Sequence, residues 1–295
     1  MFGRNRKTME FFLVSTDHLS DALWFKDDED FKAGMNQVAV VTNLTGISVL
    51  AFTLMSNHVH FVLQCSQPEA ENFINRFKQQ YSKYYQKKYG TAHFLRRNHA
   101  DIRALSLDGE SLERGIAYTL MNAVAANICQ HPTGYRWCSA DTLFRERPPH
   151  GVMLRDLSFR RQIRLLHSNI RLDPDWIMGD EGYVLPDSYI AVEFVESLFR
   201  TPGRLNYFLN NSSKAKVRLE KNGEGLPSFR DQIILGAVPD LCHSLFRKAR
   251  LDQLNDSEKA KLIRQLRFRF SADIHQIARI IGIPYPECGR LLDML

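Results

Sequence analysis

The chain has 295 residues, 44% of them hydrophobic and 24% charged, with a formal net charge of +6. This is ordinary globular composition, which excludes a disordered, collagen-like or coiled-coil chain, and the length suffices to bury a core without disulfides or metal staples. No apolar run approaches the roughly 18 residues of a membrane span, and the basic N-terminus lacks the apolar stretch of a secretory signal before Asp17, so a cytoplasmic protein without membrane contact is expected.

Taken in chain order, residues 9–16 (MEFFLVST) are apolar and β-prone and predict a first strand. Residues 27–43 open with acids and carry Phe31, Met35, Val38 and Val41 at helical spacing, which predicts a helix with acids at its positive end. ISVLAFTL (47–54) and HVHFVLQC (58–65) flank Met-Ser-Asn and predict a β-hairpin. A helix starts at Pro68 and stops at Gly90, with Phe73, Phe77, Tyr81, Tyr84 and Tyr85 along it. A fourth strand is expected at 100–106 and a long helix over 110–130. This order predicts an α+β domain with helices packed on a small antiparallel sheet. Turn-rich sequence near 147–151 closes a first domain, 1–150. Residues 151–226 read as linker and short helices broken by prolines, and 227–295 as a helical C-terminal domain. The five cysteines form no Cys-x-x-Cys pair, so neither a zinc site nor a disulfide framework is expected.

The sharpest local feature is His58-Val59-His60. Side chains alternate along a strand, so the two imidazoles share one face and can reach one divalent cation. Most isolated pairs of this spacing are simply hydrogen-bonded histidines. A second feature adds weight: Tyr118 and Asn122 stand four apart on the 110–130 helix and share a face. If that face covers the histidines, a phenol and an amide oxygen meet the two rings. Positions left open for water and phosphate oxygens are what catalysis requires. A tyrosine hydroxyl, with its pKa near 10, is a weak nucleophile until a cation polarises the phosphate it attacks. Tyr81, Tyr84 and Tyr85 are rival nucleophiles, but none is followed four residues on by a plausible ligand.

LMSNHVHFVL (54–63) closely resembles the LMPNHVHLLL signature of the single-tyrosine HUH transposases, especially the REP-associated tyrosine transposases. FKDDEDF (25–31), the helix with FKQQYSKYYQKKYG (77–90), YTLMNAVAANI (118–128) and YRWCSA (135–140) follow that family's order. The resemblance covers roughly residues 9–145. It departs at Ser56 and Ala123, where prolines are usual, and at VSTDH (14–18), where a His-x-x-x-Arg pattern is usual.

The resemblance implies a ferredoxin- or RRM-like sheet with helices on one side. His58 and His60 would bind a divalent metal, Mg²⁺ or Mn²⁺, with Asn122 as a third ligand and Tyr118 as nucleophile. The reaction implied is cleavage and rejoining of single-stranded DNA near a hairpin, through a 5′-phosphotyrosine bond that leaves a 3′-OH. The alternative is a non-catalytic, domesticated protein that binds DNA hairpins. Monomer and homodimer are both open.

Charge distribution points to the same partner class. Residues 72–103 hold eight basic residues against one acid, and 241–295 hold ten against six. In the first segment Arg76, Lys83, Lys87, Lys88, Arg96, Arg97 and Arg103 alternate with aromatic rings, a pattern suited to phosphates and unpaired bases. The tail ADIHQIARIIGIPYPECGRLLDML (272–295) predicts a helix-turn-helix with Arg279 and Arg290 as DNA contacts and KLIRQLRFRF (261–270) as the supporting helix.

Overall fold

The structure is a computed structural model, and it describes residues 10–213, 230–270 and 272–293. Its centre is a four-stranded antiparallel sheet of order β2-β3-β1-β4, formed by β1 (Phe11–Thr16), β2 (Ser48–Met55), β3 (His58–Gln64) and β4 (Ala100–Leu105). β3 is buried on both sides for most of its length, so it reads as a near-continuous apolar run around the histidines. Its alternation divides the sheet. Phe61 turns to one face, where it packs edge-on against Phe73 and Phe77. His58 and His60 turn to the other.

Two long helices cover the Phe61 face, and capping chemistry fixes their ends. α1 (Asp28–Thr45) starts at Asp27, whose carboxylate accepts the Asp30 amide at 2.9 Å, and stops at Gly46 in the left-handed conformation (φ 64°). α2 (Gln67–Tyr89) starts with Glu69 reaching back to the Ser66 amide at 2.7 Å and stops at Gly90 (φ 75°). α3 (Ser111–Leu120) lies on the histidine face, where Thr53 of β2 donates to the Thr119 carbonyl at 2.8 Å. The sheet is thus covered on both faces, not on one side as the family resemblance implied.

The expected 110–130 helix is also shorter and interrupted. Met121 (φ −81°, ψ 2°) separates α3 from α4 (Asn122–Ala125). The Asn122 side-chain amide donates to the Tyr118 and Thr119 carbonyls, both at 3.0 Å, and so competes with the backbone ladder there. The helix then ends in a Schellman motif. Asn127 takes a positive φ of 57°, its amide donates to Val124 O, and the Ile128 amide donates to Ala123 O.

The described part of the segment after residue 150 holds short helices and is not set apart from the sheet. β5 (Val152–Met153) pairs with β6 (Ile177–Met178), and α5 (Phe159–Leu166), α6 (Val192–Phe199) and α7 (Pro202–Asn210) follow. Leu154, Leu166, Val184, Phe199 and Leu209 belong to the same hydrophobic cluster as the sheet. Two buried amides of α1 secure the segment. Asn36 bonds to Leu165 O, Gly182 O and the Val184 amide, and Gln37 bonds to Leu166 O. Among the described residues the core shared with the sheet runs to Leu209.

α8 (Asp231–Phe246), α9 (Asp256–Phe270), α10 (Ile274–Ile281) and α11 (Tyr285–Asp293) build a second cluster around Ile234, Ile263, Leu266, Ile277 and Leu291. The α10–α11 turn uses Gly282 at φ 67°. This unit meets the sheet domain through polar groups. Buried Asp231 accepts from Ser56 Oγ at 2.5 Å and Gln276 Nε2 at 2.8 Å and pairs with Arg279, while Gln232 donates to Phe25 O at 2.8 Å. Among the described residues no helix is long and apolar enough to cross a membrane.

Candidate active site

Strand register builds the site. His60 stands between Ser15 of β1 and Thr53 of β2, and His58 stands opposite Met55 at the hairpin mouth. The two imidazoles lie 4.8 Å apart between centroids, with planes at 89°, and both are almost wholly buried. Asn57 orders the turn. Its Nδ2 donates to Leu19 O, which leaves Oδ1 to accept from His58 Nδ1 at 2.8 Å. A carbonyl oxygen only accepts, so the His58 proton sits on Nδ1 and Nε2 is the basic nitrogen. His60 Nδ1 lies 2.7 Å from Ser15 Oγ.

α3 brings the phenol to the pair. The Tyr118 ring stands edge-on to His60, with centroids 5.7 Å apart, in the same chain. Half-burial pushes the Tyr118 hydroxyl above its ordinary pKa. Arg103 opposes that rise and Asp101 adds to it. Both side chains belong to edge strand β4, where Asp101 pairs with Ser15 and Arg103 with Leu13, which places them on the histidine face. An open cleft of about 540 Å³ beside Tyr118 is lined by Arg103, Arg114, Ser111 and Asn211.

The donor set fits a divalent cation held by two imidazoles. In each ring Nδ1 faces a hydrogen-bonding group of the neighbouring structure, the arrangement that orients metal-ligating histidines. Among the described residues no group of three or more His, Cys, Asp and Glu side chains could hold a metal. Water and phosphate oxygens would therefore complete a shell begun by His58 and His60. Asn122 is buried, and its amide nitrogen is spent on its own helix, so Oδ1 is the only ligand atom it can offer. His18 stacks flat on His58, with centroids 3.7 Å apart and planes at 13°. Stacked rings direct their in-plane lone pairs side by side, so His18 in this pose is a neighbour of the site and not a co-ligand.

The rival tyrosines lie elsewhere. The hydroxyls of Tyr81 and Tyr84 are bonded to Trp24 O and to Asp30, and the Tyr85 ring stacks on Phe94 at 3.9 Å. All three belong to α2, on the opposite face of the sheet.

The basic residues expected to contact DNA divide into two sets. Lys88 bridges Asp27 and Asp30 at 2.7 Å, Arg279 pairs with Asp231, and Arg290 pairs with Asp256 and Glu287 at 2.9 and 2.7 Å. These three cations are engaged within the protein. Arg76, Lys83, Lys87, Arg96, Arg97 and Arg103 are exposed. Lys83 and Arg96 line one groove between α2 and the 93–96 loop, and Arg96 and Arg97 line a neighbouring hollow.

Sequence reasoning missed Ser15, His18, Asn57 and Arg114. Asn57 adjoins the histidine motif, and Ser15 follows once β1 is paired with β3. Nothing local marks His18 or Arg114.

Residues 25–100 match the family model described as "Transposase IS200 like". The matched segment includes His58 and His60 and ends before Tyr118. No curated protein and no solved structure matches the chain.

Proposed function

With residues 25–100 matching the family model described as "Transposase IS200 like", we propose that this chain cleaves and rejoins single-stranded DNA beside hairpins, with Tyr118 as the nucleophile. The observation that carries this reading is the clustering of the His58, His60 and Tyr118 rings on one sheet face, within a single chain. The same clustering supports a site assembled in cis, so the monomer suffices for the chemistry.

In the cleavage step the Tyr118 hydroxyl loses its proton and its oxygen attacks the scissile phosphorus. The P–O3′ bond breaks, the 3′-oxygen takes up a proton, and the 5′-phosphate stays on the tyrosine. Rejoining reverses these events, with a 3′-OH displacing Tyr118. His58 and His60 would hold Mg²⁺ or Mn²⁺, which when bound draws negative charge from the phosphate. Arg103 and Arg114 flank the cleft and supply cations for the non-bridging oxygens and the adjoining phosphates. Half-burial keeps the Tyr118 hydroxyl protonated at neutral pH, so the site depends on electrostatic help at the moment of attack.

The test is a cleavage assay on hairpin-flanked single-stranded DNA with Mg²⁺ or Mn²⁺. The parent chain should form a covalent protein–DNA adduct that survives denaturing electrophoresis, and Tyr118→Phe should form none. His58→Ala and His60→Ala should lose cleavage while keeping most DNA affinity, because affinity comes from Lys and Arg contacts. Tight hairpin binding by the parent without any adduct would instead favour the non-catalytic binder.

A further inference from the structure

The C-terminal unit was expected to meet DNA through Arg279 and Arg290, yet both guanidinium groups face carboxylates. Several acids of this unit are spent in such pairs. Glu258 holds Lys248 at 2.6 Å, Asp252 holds Arg250, and Glu287 shares Arg290 with Asp256. Among the described residues no salt bridge engages Lys261, Arg264 or Arg267, although Lys261 lies close enough to Glu258 to help lower its carboxyl pKa.

These three cations lie on α9 with Phe268. Positions 261, 264, 267 and 268 fall on one arc of the helix, opposite Leu262, Ile263 and Leu266, which are fully buried in the unit's core. Lys261, Arg264 and Arg267 are exposed, and Phe268 is 85% exposed, the most exposed of the large hydrophobic side chains among the described residues. Arg267 and Arg269, in the last turn, also complement the helix dipole. That accounts for neither Arg264 nor Lys261, which lie further back, nor for a phenyl ring left in water.

We propose that this face of α9 is a second nucleic-acid contact that takes single-stranded DNA, with the cations on consecutive phosphates and Phe268 stacked on an unpaired base. The proposal rests on the reading above that DNA is the substrate. It differs from the helix-turn-helix expectation, because the contact lies on the helix read as a support and not on α10–α11. The ring selects the strand type: paired bases hide their faces, whereas every unpaired base offers one to an aromatic side chain. The cations alone would accept any phosphate backbone.

The experiment uses the full chain and two fluorescent DNAs, a hairpin with single-stranded tails and the same hairpin with blunt ends, titrated by anisotropy over a salt series. On tailed DNA, Phe268→Ala should weaken binding about tenfold, Phe268→Trp should restore it, and neither should change blunt-hairpin binding. The double variant Arg264→Ala/Arg267→Ala should weaken tailed-DNA binding and flatten its log–log salt slope by about 1.4, two single-strand phosphates' worth. Arg290→Ala should leave affinity near the parent's. The side chains changed are exposed, and unchanged thermal melts check folding.

Parent-like affinity in Phe268→Ala and in the double variant would overturn the proposal. So would equal losses on tailed and blunt DNA, or capture of the parent by phosphatidylserine vesicles that Phe268→Ala abolishes with no change in DNA affinity. Failure of the functional reading looks different. There the parent binds tailed DNA through α9 but forms no Tyr118 adduct. A parent that binds neither DNA overturns both.

Discussion

His18 lies flat on His58, with ring centroids 3.7 Å apart. The contact is held from both sides. The Leu19 amide donates to Asn57 O, Asn57 Nδ2 donates back to Leu19 O, and the Asp17 amide donates to His99 O. His18 therefore acts on the site through His58, as a flat buttress that limits ring rotation.

Removing that buttress gives the first prediction. His18→Ala should lower Mn²⁺ affinity about tenfold, the scale of losses when outer-shell support of a metal ligand is removed, and His18→Phe should restore most of it. Calorimetric titration of Mn²⁺ into the parent and both variants is the measurement. A Phe variant as weak as the Ala variant would mean that a His18 nitrogen, rather than its flat surface, matters.

The α1–α2 junction yields a stability prediction. Asp30 is fully buried and accepts from Lys88 Nζ at 2.7 Å, from the Tyr84 and Tyr89 hydroxyls at 2.8 Å each and from the Lys26 amide at 2.7 Å. Asp30→Ala would leave these donors without their acceptor and should cost about 3 kcal/mol, read as a lower midpoint in urea unfolding with an unchanged slope.

Neighbouring Asp27 predicts an acid dependence. Burial is the largest influence and pushes its carboxyl up, but Lys88, the Asp30 amide and Tyr89 together hold the pKa below the ordinary carboxylate value. A carboxylate with a folded pKa below its unfolded one contributes stability above the unfolded value and loses it as pH falls through the folded value. The parent should therefore lose more thermal stability than Asp27→Asn on going from pH 5 to pH 3, and the two melting curves should draw together at the acid end. Asp27 is half exposed, so the difference should be small and should shrink further in salt.

At the junction of the two cores, Ser56 and Asp231 make separable contributions. Ser56→Ala removes one hydrogen bond and should cost about 1 kcal/mol. Asp231→Ala should cost more, because it strands the buried Gln276 amide and the Arg279 guanidinium together. Scanning calorimetry should show the C-terminal unit melting earlier in Asp231→Ala, with the sheet domain's transition less affected.

Several of these features were legible in the sequence, and the reason is local chemistry. The acids from Asp27 and the glycine stop at Gly90 mark helix ends on the page as they do in the structure. The alternation in His58–Gln64 by itself places the histidines on one face. What escaped depends on partners distant in sequence. Lys88 reads as a surface cation until α1 brings Asp27 and Asp30 beside it, and Arg279 until α8 brings Asp231. The break at Met121 needs Asn122 to fold back on its own carbonyls, a choice open to any helical asparagine and settled by packing. Residues 152–209 look like linker because prolines interrupt them, yet their spaced leucines and phenylalanines fill the side of a sheet they adjoin only in three dimensions.

The two-sided burial of β3 has a consequence for how the protein can fail. Slipping that strand by one residue would send Phe61 toward α3 and drive an imidazole into the phenyl-lined interior against α2. Such a chain could not retain its hydrophobic interior while merely misplacing its chemistry. Errors in pairing this hairpin are thus converted into loss of folding, and the population that does fold carries the histidines where the tyrosine can meet them.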